Sequence, residues 1–233
     1  MSEACLEPVV EEATSSFHLT LGFRYLDSIL SPLIPGHLVM LAREPASTIA
    51  ELIAFRAQLP VKEGGFGSAV FFVDGGNKSD PYRFDAFAKQ MGIKPRATIK
   101  GVTACRAFTP YQLVDLTRDL VHTAEDYSAK LVVISDLLAT FNEPGLDESD
   151  AMRMLHAIRN GIERVKRDVL VIATVISTNK YDDVTSSWAD TMVSLSSSGL
   201  RVTAELLKHT NMSPVTSSFK LGELLEATET RGL

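Results

Sequence analysis

Cysteine is nearly missing from this chain of 233 residues, with only Cys5 and Cys105 present. Two lone thiols with no CxxC pair argue against a disulfide scaffold and point to a reducing compartment. Cys105 lies in a strand-like stretch and reads as a small core residue. His18, His37, His122, His156 and His209 form no His/Cys cluster at ligand spacing, so no metal site is expected. No apolar run nears the roughly 18 residues that a membrane span needs. The opening stretch MSEACLEPVVEEA is acidic and lacks the basic start of a secretion signal, which makes the cytoplasm the expected location. An excess of positive charge is lacking as well. The net charge of −6 argues against a general electrostatic nucleic-acid binder. G-x-S-x-G is absent, so Ser135-Asp136 is not a nucleophile elbow.

What is present suits one globular core. The hydrophobic fraction is 45% and the charged fraction 22%, ordinary for a folded domain. Residues 1–16, with Glu3, Glu7, Glu11 and Glu12, read as a flexible acidic tail, 17–222 as the core and 223–233 as a second flexible tail. Strand-like runs recur at His37–Leu41, at SAVFFVD ending on Asp74, at Ile99–Ala107, at Leu131–Asp136 and at DVLVIATVIST before Asn179. Short continuous apolar runs of this kind fit parallel strands buried on both faces.

Helical segments alternate with these runs. Ser47–Gln58 carries Ile49, Leu52, Ile53 and Phe55, with Ser47 or Thr48 as N-cap. Another helix starts at Asp80-Pro81. A third starts at Thr109-Pro110, with Leu113, Leu116, Leu120 and Val121 inward. A long one runs from Ser149 or Asp150 to Lys166, with Met152, Leu155, Ile158, Ile162 and Val165 inward. Thr191–Lys208 reads as a hairpin around Ser196–Gly199, and Ser218–Leu221 as a last strand. The pattern predicts an α/β fold, a mostly parallel central sheet with flanking helices and a C-terminal antiparallel hairpin.

The chain is organised around His37–Gln58, where an apolar strand enters a tight loop and the loop opens a helix. That is the setting of a phosphate-binding P-loop. Laid over G-x-x-x-x-G-K-[ST], Ala42 and Ser47 stand at the glycines, Thr48 at the lysine and Ile49 at the Mg²⁺-binding hydroxyl. The loop Ala42, Arg43, Glu44, Pro45, Ala46, Ser47, Thr48, Ile49 thus lacks the chemistry that grips a triphosphate, and Glu44 adds a negative charge there.

Seven segments in order resemble the ATPase core of the RecA/RadA recombinase family, most closely an archaeal RadA paralogue. They are LGFRYLDSIL, the degenerate P-loop, AVFFVDGGNKSDPYRFDAFAKQMGI, ACRAFTPYQLVDL, LVVISDLLATF, VLVIATVISTNK and the closing hairpin with SPVTSSFKL, together about residues 17–222. The resemblance implies a RecA-like P-loop NTPase core with Asp136 at the Walker B position. It also implies what has been lost. The catalytic carboxylate after the second strand falls at Gly75–Gly76, and the Asn-Gln sensor reads Asn179-Lys180. ATP hydrolysis is therefore not expected, and no cofactor is expected. ATP–Mg²⁺ would be held at most weakly, by Arg43 or Lys78.

Asp74 and Asp136 both end predicted parallel strands, where a ligand or a loop cap is served equally well, and Asn179 is a further strand-end position. The family's amino-terminal DNA-binding domain and FxxA polymerisation segment are expected to be missing.

The two loops that face DNA in this family correspond to Asn142–Asp150 and Lys180–Ala189. The first carries Glu143, Asp147, Glu148 and Asp150, and the second Asp182 and Asp183. Nucleic acid is therefore expected to bind weakly at most, with Lys180, Trp188, Arg164 and Arg167 as candidate contacts. Packing is the commoner role for a tryptophan placed like Trp188, and a solvated helix face for the run Arg159, Arg164, Lys166, Arg167. The expected function is an ATPase-inactive accessory of recombination and repair, acting on a RadA-type recombinase, on another paralogue or on itself. The alternatives are a non-catalytic assembly subunit similar to those of Elongator, binding RNA or protein, and an enzyme with a rebuilt loop.

Overall fold

A computed structural model describes residues 18–93, 100–220 and 222–223. Cys5, Ile99, the tail expected over 1–16 and all but the first residue of the tail expected over 223–233 lie outside the described residues. The strands are β1 (Leu38–Ala42), β2 (Ala69–Asp74), β3 (Val102–Arg106), β4 (Ala129–Ser135), β5 (Leu170–Val175), β6 (Thr191–Ser198), β7 (Arg201–Lys208) and β8 (Thr216–Lys220). The α-helices are α1 (Arg24–Leu30), α2 (Ala46–Ala57), α3 (Pro81–Gln90), α4 (Pro110–Arg118), α5 (Leu120–Asp126), α6 (Glu148–Val165) and α7 (Asp182–Ser186).

The strands form one sheet in the order β3-β2-β4-β5-β1-β6-β7-β8. All pairs from β3 to β6 are parallel, and β6-β7-β8 is an antiparallel meander. The sequence pattern explains this. Strands β1, β2, β4 and β5 are apolar at successive positions because both faces are covered, whereas β6 and β7 alternate buried and exposed side chains. In β1, Val39 and Leu41 face one core with α1, α2 and α3. Leu38 and Met40 face the other, with α4, α5 and α6. Burying each such side chain contributes about 1.5–3 kcal/mol, so the sandwich is held chiefly by apolar burial.

Several local expectations differ from the structure. Helix α2 starts at Ala46 with Pro45 as N-cap, so Ser47 lies inside the helix and neither Ser47 nor Thr48 caps it. The helix is buried almost all round, including Glu51 and Arg56. Buried charge is affordable there because each finds partners. Glu51 accepts from the Asp80 N–H at 2.7 Å and from Arg83 Nη1 at 2.8 Å, and Arg56 donates to the Thr20 and Glu63 carbonyls.

The helix expected from Pro110 onward breaks at Asp119 into α4 and α5, leaving Leu116 and Val121 only partly buried. Asp147 caps α6 in place of Ser149 or Asp150, accepting from both of their N–H groups. Met152 is 40% exposed while Met154 is buried, because the face of α6 towards the sheet is set by Ala151, Leu155, Ile158 and Ile162. The segment Lys180–Ala189, expected to be a loop, contains α7. Ahead of α1, Leu19 forms a single antiparallel bridge with Leu33.

Candidate functional site

The carboxyl ends of β1, β2, β4 and β5 converge at the strand-order reversal, where open α/β sheets place ligands. The loop from β1 to α2 is closed on itself. The Ala46 N–H donates to the Arg43 carbonyl at 2.9 Å, and the Arg43 N–H to the Val175 carbonyl at 2.7 Å. Arg43 holds a positive φ of 69°. Its guanidinium projects to the surface and donates to Thr178 Oγ1 at 3.1 Å. Glu44 is exposed, while Pro45, Ala46, Ser47 and Ile49 are buried and Thr48 is partly buried. The buried Ser47 Oγ has no hydrogen-bond partner. Among these residues the cation of Arg43 is set against the carboxylate of Glu44. Beside the loop, a cavity of about 220 Å³ is lined by Arg43, Ser177, Asp182, Asp183, Ser186 and Ser194. Two carboxylates and one guanidinium suit a triphosphate poorly.

Across from this loop, Asp74 and Asp136 stand at the ends of the adjacent strands β2 and β4. Asp74 is 2% exposed and fully engaged. It accepts from the Lys78 N–H at 3.1 Å, from the Ser79 N–H and hydroxyl at 3.3 and 2.7 Å, and from Arg106 Nη2 at 3.3 Å. Its role is to cap the loop Gly75–Ser79 and to pair with Arg106.

Asp136 is 4% exposed and adopts φ 51°. Its N–H donates to Thr174 Oγ1 at 2.8 Å and its Oδ1 accepts from the Ile176 N–H at 3.2 Å, so it ties β4 to β5. Burial pushes the Asp136 carboxyl above the ordinary aspartate range, and Asp74 adds to this, against the Ile176 N–H and the charge of Lys78. Gly75 and Gly76 pass directly beside it. A Cβ on Gly76 would lie 2.5 Å from Asp136 Oδ2, and one on Gly75 would lie 3.0 Å from the Asp136 carbonyl oxygen.

Asn179 also works within the fold. Its Nδ2 donates to Asn142 Oδ1 at 2.8 Å and its Oδ1 accepts from the Tyr181 N–H at 3.0 Å, joining the loop after β4 to that after β5. Trp188 is 5% exposed and packed in the second core, so it presents no ring to a base. Its candidacy as a nucleic-acid contact is thereby corrected: the end of α7 must bury an apolar group to seat on the sheet. Lys180 is exposed, faces Glu148 at 3.7 Å and lies over the Tyr181 ring. Arg164 and Arg167 are exposed on and just past α6, away from the strand ends. Among the described residues, no His/Cys/Asp/Glu group could hold a metal ion. No helix among them is long and apolar enough to cross a membrane.

Sequence reasoning missed a feature at the sheet edge. Strand β3 has β2 on one side and no strand on the other among the described residues. Beside it, Phe72, Pro81, Phe84, Val102 and Ala104 line an apolar cavity of about 110 Å³. The alternating half-burial of β3 reflects this, but an edge strand reads like any other short strand in sequence.

Comparison with known proteins agrees with this architecture. The family model described as Rad51 matches residues 16–194. The meiotic recombination protein DLH1 of Candida albicans is 23% identical over 137 residues, covering 57% of this chain and 42% of that protein. The chain thus spans less than half the length of that curated relative. The match takes in the closed loop, both strand-end aspartates and the β3 edge, and the chain belongs to the Rad51 family of RecA-like proteins.

Proposed function

We propose that this chain is a non-hydrolysing RecA-like subunit that acts in recombination by associating with a RecA-type recombinase. The observation that carries the reading is the contact of Gly76 with Asp136. Where the family resemblance calls for a carboxylate to orient the attacking water, the backbone runs so close to Asp136 that a Cβ would stand 2.5 Å from its carboxylate oxygen. The loop at Ala42–Ile49 supports the same reading. It offers no lysine, it spends the Ala46 N–H on the Arg43 carbonyl, and it carries Glu44 outward.

A subunit of this kind acts through its surfaces. The edge of β3, which no strand covers among the described residues, provides main-chain donors and acceptors for an added strand, and the neighbouring apolar cavity can take one large side chain from it. The similarity to a meiotic recombination protein supports recombination as the setting.

The experiment is co-sedimentation with a RecA-type recombinase from the same source, comparing wild type with Ala104→Asp. Ala104 is exposed on β3, so the change puts a charge at the cavity without disturbing the core. A stable complex that Ala104→Asp dissolves is expected. No complex at tens of micromolar, or one indifferent to Ala104→Asp, would overturn the proposal.

A further inference from the structure

The sheet has a second edge, on the far side from β3. Strand β8 pairs with β7 and has no strand on its other side among the described residues. The register decides which of its main-chain groups are open. The Leu206 N–H donates to the Val215 carbonyl at 2.9 Å. Because antiparallel pairs alternate, Val215, Ser217 and Phe219 turn their N–H and C=O groups to β7, and Thr216, Ser218 and Lys220 turn theirs to the open edge. The Lys220 N–H is met there by Glu223 Oε2 at 2.9 Å. The groups of Thr216 and Ser218 meet no strand.

The side chains alternate in step. Ser217 and Phe219 turn inward, where Phe219 packs edge-on to Phe23 at 5.0 Å and under the half-buried Tyr25 at 6.4 Å. Thr216, Ser218 and Lys220 turn outward, opposite Glu205, Thr203 and Arg201 of β7. The Thr203 and Ser218 hydroxyls are bonded at 3.0 Å, so the two strands present one continuous outer face.

The charges on this face are poorly placed for a lone chain. Arg201 and Lys220 stand directly opposite each other, a like-charge pair that destabilises a sheet. Glu205 stands two pairs along β7 from Arg201, beside the uncharged Thr216. None of the three forms an ion pair among the described residues. A lysine on an edge strand normally discourages pairing. Here it would favour an added strand that brings an acid into its row.

A second copy of this chain brings that acid. A twofold axis through Ser218 sets the two β8 strands antiparallel, Ser218 against the partner's Ser218 and Thr216 against the partner's Lys220. The open N–H and C=O groups of the two edges then face each other in hydrogen-bonding register. One row of the outer face becomes Glu205, Thr216, the partner's Lys220 and the partner's Arg201, and the same row repeats across the axis. Glu205 and the partner's Lys220 are two strand spacings apart, about 10 Å between backbones, within the joint reach of their side chains. A slip of one residue would set outward side chains beside inward ones. A slip of two in one direction would set Pro214, which has no N–H, opposite Lys220.

We propose that this chain forms a twofold dimer through β8, joining the two sheets into one. Such a contact is self-complementary and closes at two copies. It leaves the β3 edge of each copy free, at opposite ends of the joined sheet, and so does not depend on association with a recombinase. An unrelated extended peptide would find the same main-chain groups, but a copy of this chain carries both signs at the spacing that the axis requires.

The test is sedimentation equilibrium of the purified full chain, wild type against Ser218→Pro, Glu205→Lys, Arg201→Glu/Lys220→Glu and Ala104→Asp. Wild type should dimerise at tens of micromolar. Ser218→Pro removes an N–H that β7 does not use, so the fold should tolerate it while the dimer weakens at least tenfold. Glu205→Lys and Arg201→Glu/Lys220→Glu each fill the rows with like charges and should also weaken it at least tenfold. Mixed in equal amounts, these two charge variants should dimerise again, because each row then sets one sign against the other. Ala104→Asp, at the opposite edge, should leave the dimer within twofold. Melting curves check the folds, and should Ser218→Pro unfold, the charge variants and their mixture carry the comparison. A monomer throughout at tens of micromolar would overturn the proposal. So would a dimer indifferent to Ser218→Pro and Glu205→Lys, or a mixture no tighter than its components. A dimer lost in Ala104→Asp would overturn it too, by placing the contact at β3.

Discussion

Gly76 lies against the Asp136 carboxylate so closely that a Cβ on Gly76 would stand 2.5 Å from Oδ2 and 2.6 Å from Cβ of Asp136. Asp136 cannot swing aside freely, because its N–H and its Oδ1 are both bonded to β5 and the residue just beyond it. Gly76→Ala is therefore expected to destabilise by about 1–3 kcal/mol, the range for overpacking. Combined with Asp136→Ala, its cost should shrink, giving a coupling on the order of 1 kcal/mol in a double-mutant cycle. Urea denaturation of the four proteins measures this, and additive costs would show that the two residues do not meet.

Asp136 should make stability depend on pH. Its folded pKa is raised, chiefly by burial. Such a group stabilises the fold while protonated. That contribution is complete below the unfolded value of about 4 and is lost as pH rises through the folded value. Asp136→Asn keeps an oxygen for the Ile176 N–H, tolerates the positive φ and carries no charge. Its Tm should exceed that of wild type at pH 7, with the gap closing as pH falls towards about 4. A lower Tm across the range would contradict this.

Glu51 is fully buried and relies on Arg83, whose side chain is 36% exposed. Removing Arg83 leaves the buried carboxylate to the Asp80 N–H, from which it accepts at 2.7 Å. Arg83→Ala should cost about 2–3 kcal/mol at pH 7, somewhat below a fully buried pair. Burial already raises the Glu51 pKa. The cost should therefore be smaller at pH 5, where the stranded carboxyl can take up a proton.

Helices α4 and α6 touch at Gly161, where a Cβ would come 2.3 Å from the Thr117 carbonyl oxygen. A backbone atom cannot give way as a side chain can. Gly161→Ala should cost about 2–3 kcal/mol, the upper part of the overpacking range. Urea denaturation of Gly161→Ala against wild type measures this, and an unchanged midpoint would contradict it.

Much of this fold was legible in the sequence because its strands are buried on both faces. Runs such as Leu131–Ile134 and Leu170–Val175 admit no other efficient burial. The closing hairpin was legible from its alternation and from Gly199. Helix ends were less so, since Asp147 rather than Ser149 or Asp150 caps α6, and any of the three has the right chemistry. The strand-end residues could be located but not assigned. Nothing in the chain order reveals that Asp74 is consumed by Lys78, Ser79 and Arg106, or that Gly76 abuts Asp136. The α6 cations were visible as a run, but that Arg164 meets the Arg118 carbonyl depends on how α4 packs.

The central claim is that the loop at Ala42–Ile49 no longer serves a nucleotide. Isothermal titration of the purified chain with ATP–Mg²⁺, with ADP as the control, tests it most directly. The account predicts no saturable heat at millimolar nucleotide. Binding tighter than about 100 μM, roughly −5.5 kcal/mol, would contradict it and return the closed loop to the nucleotide-binding members of its family.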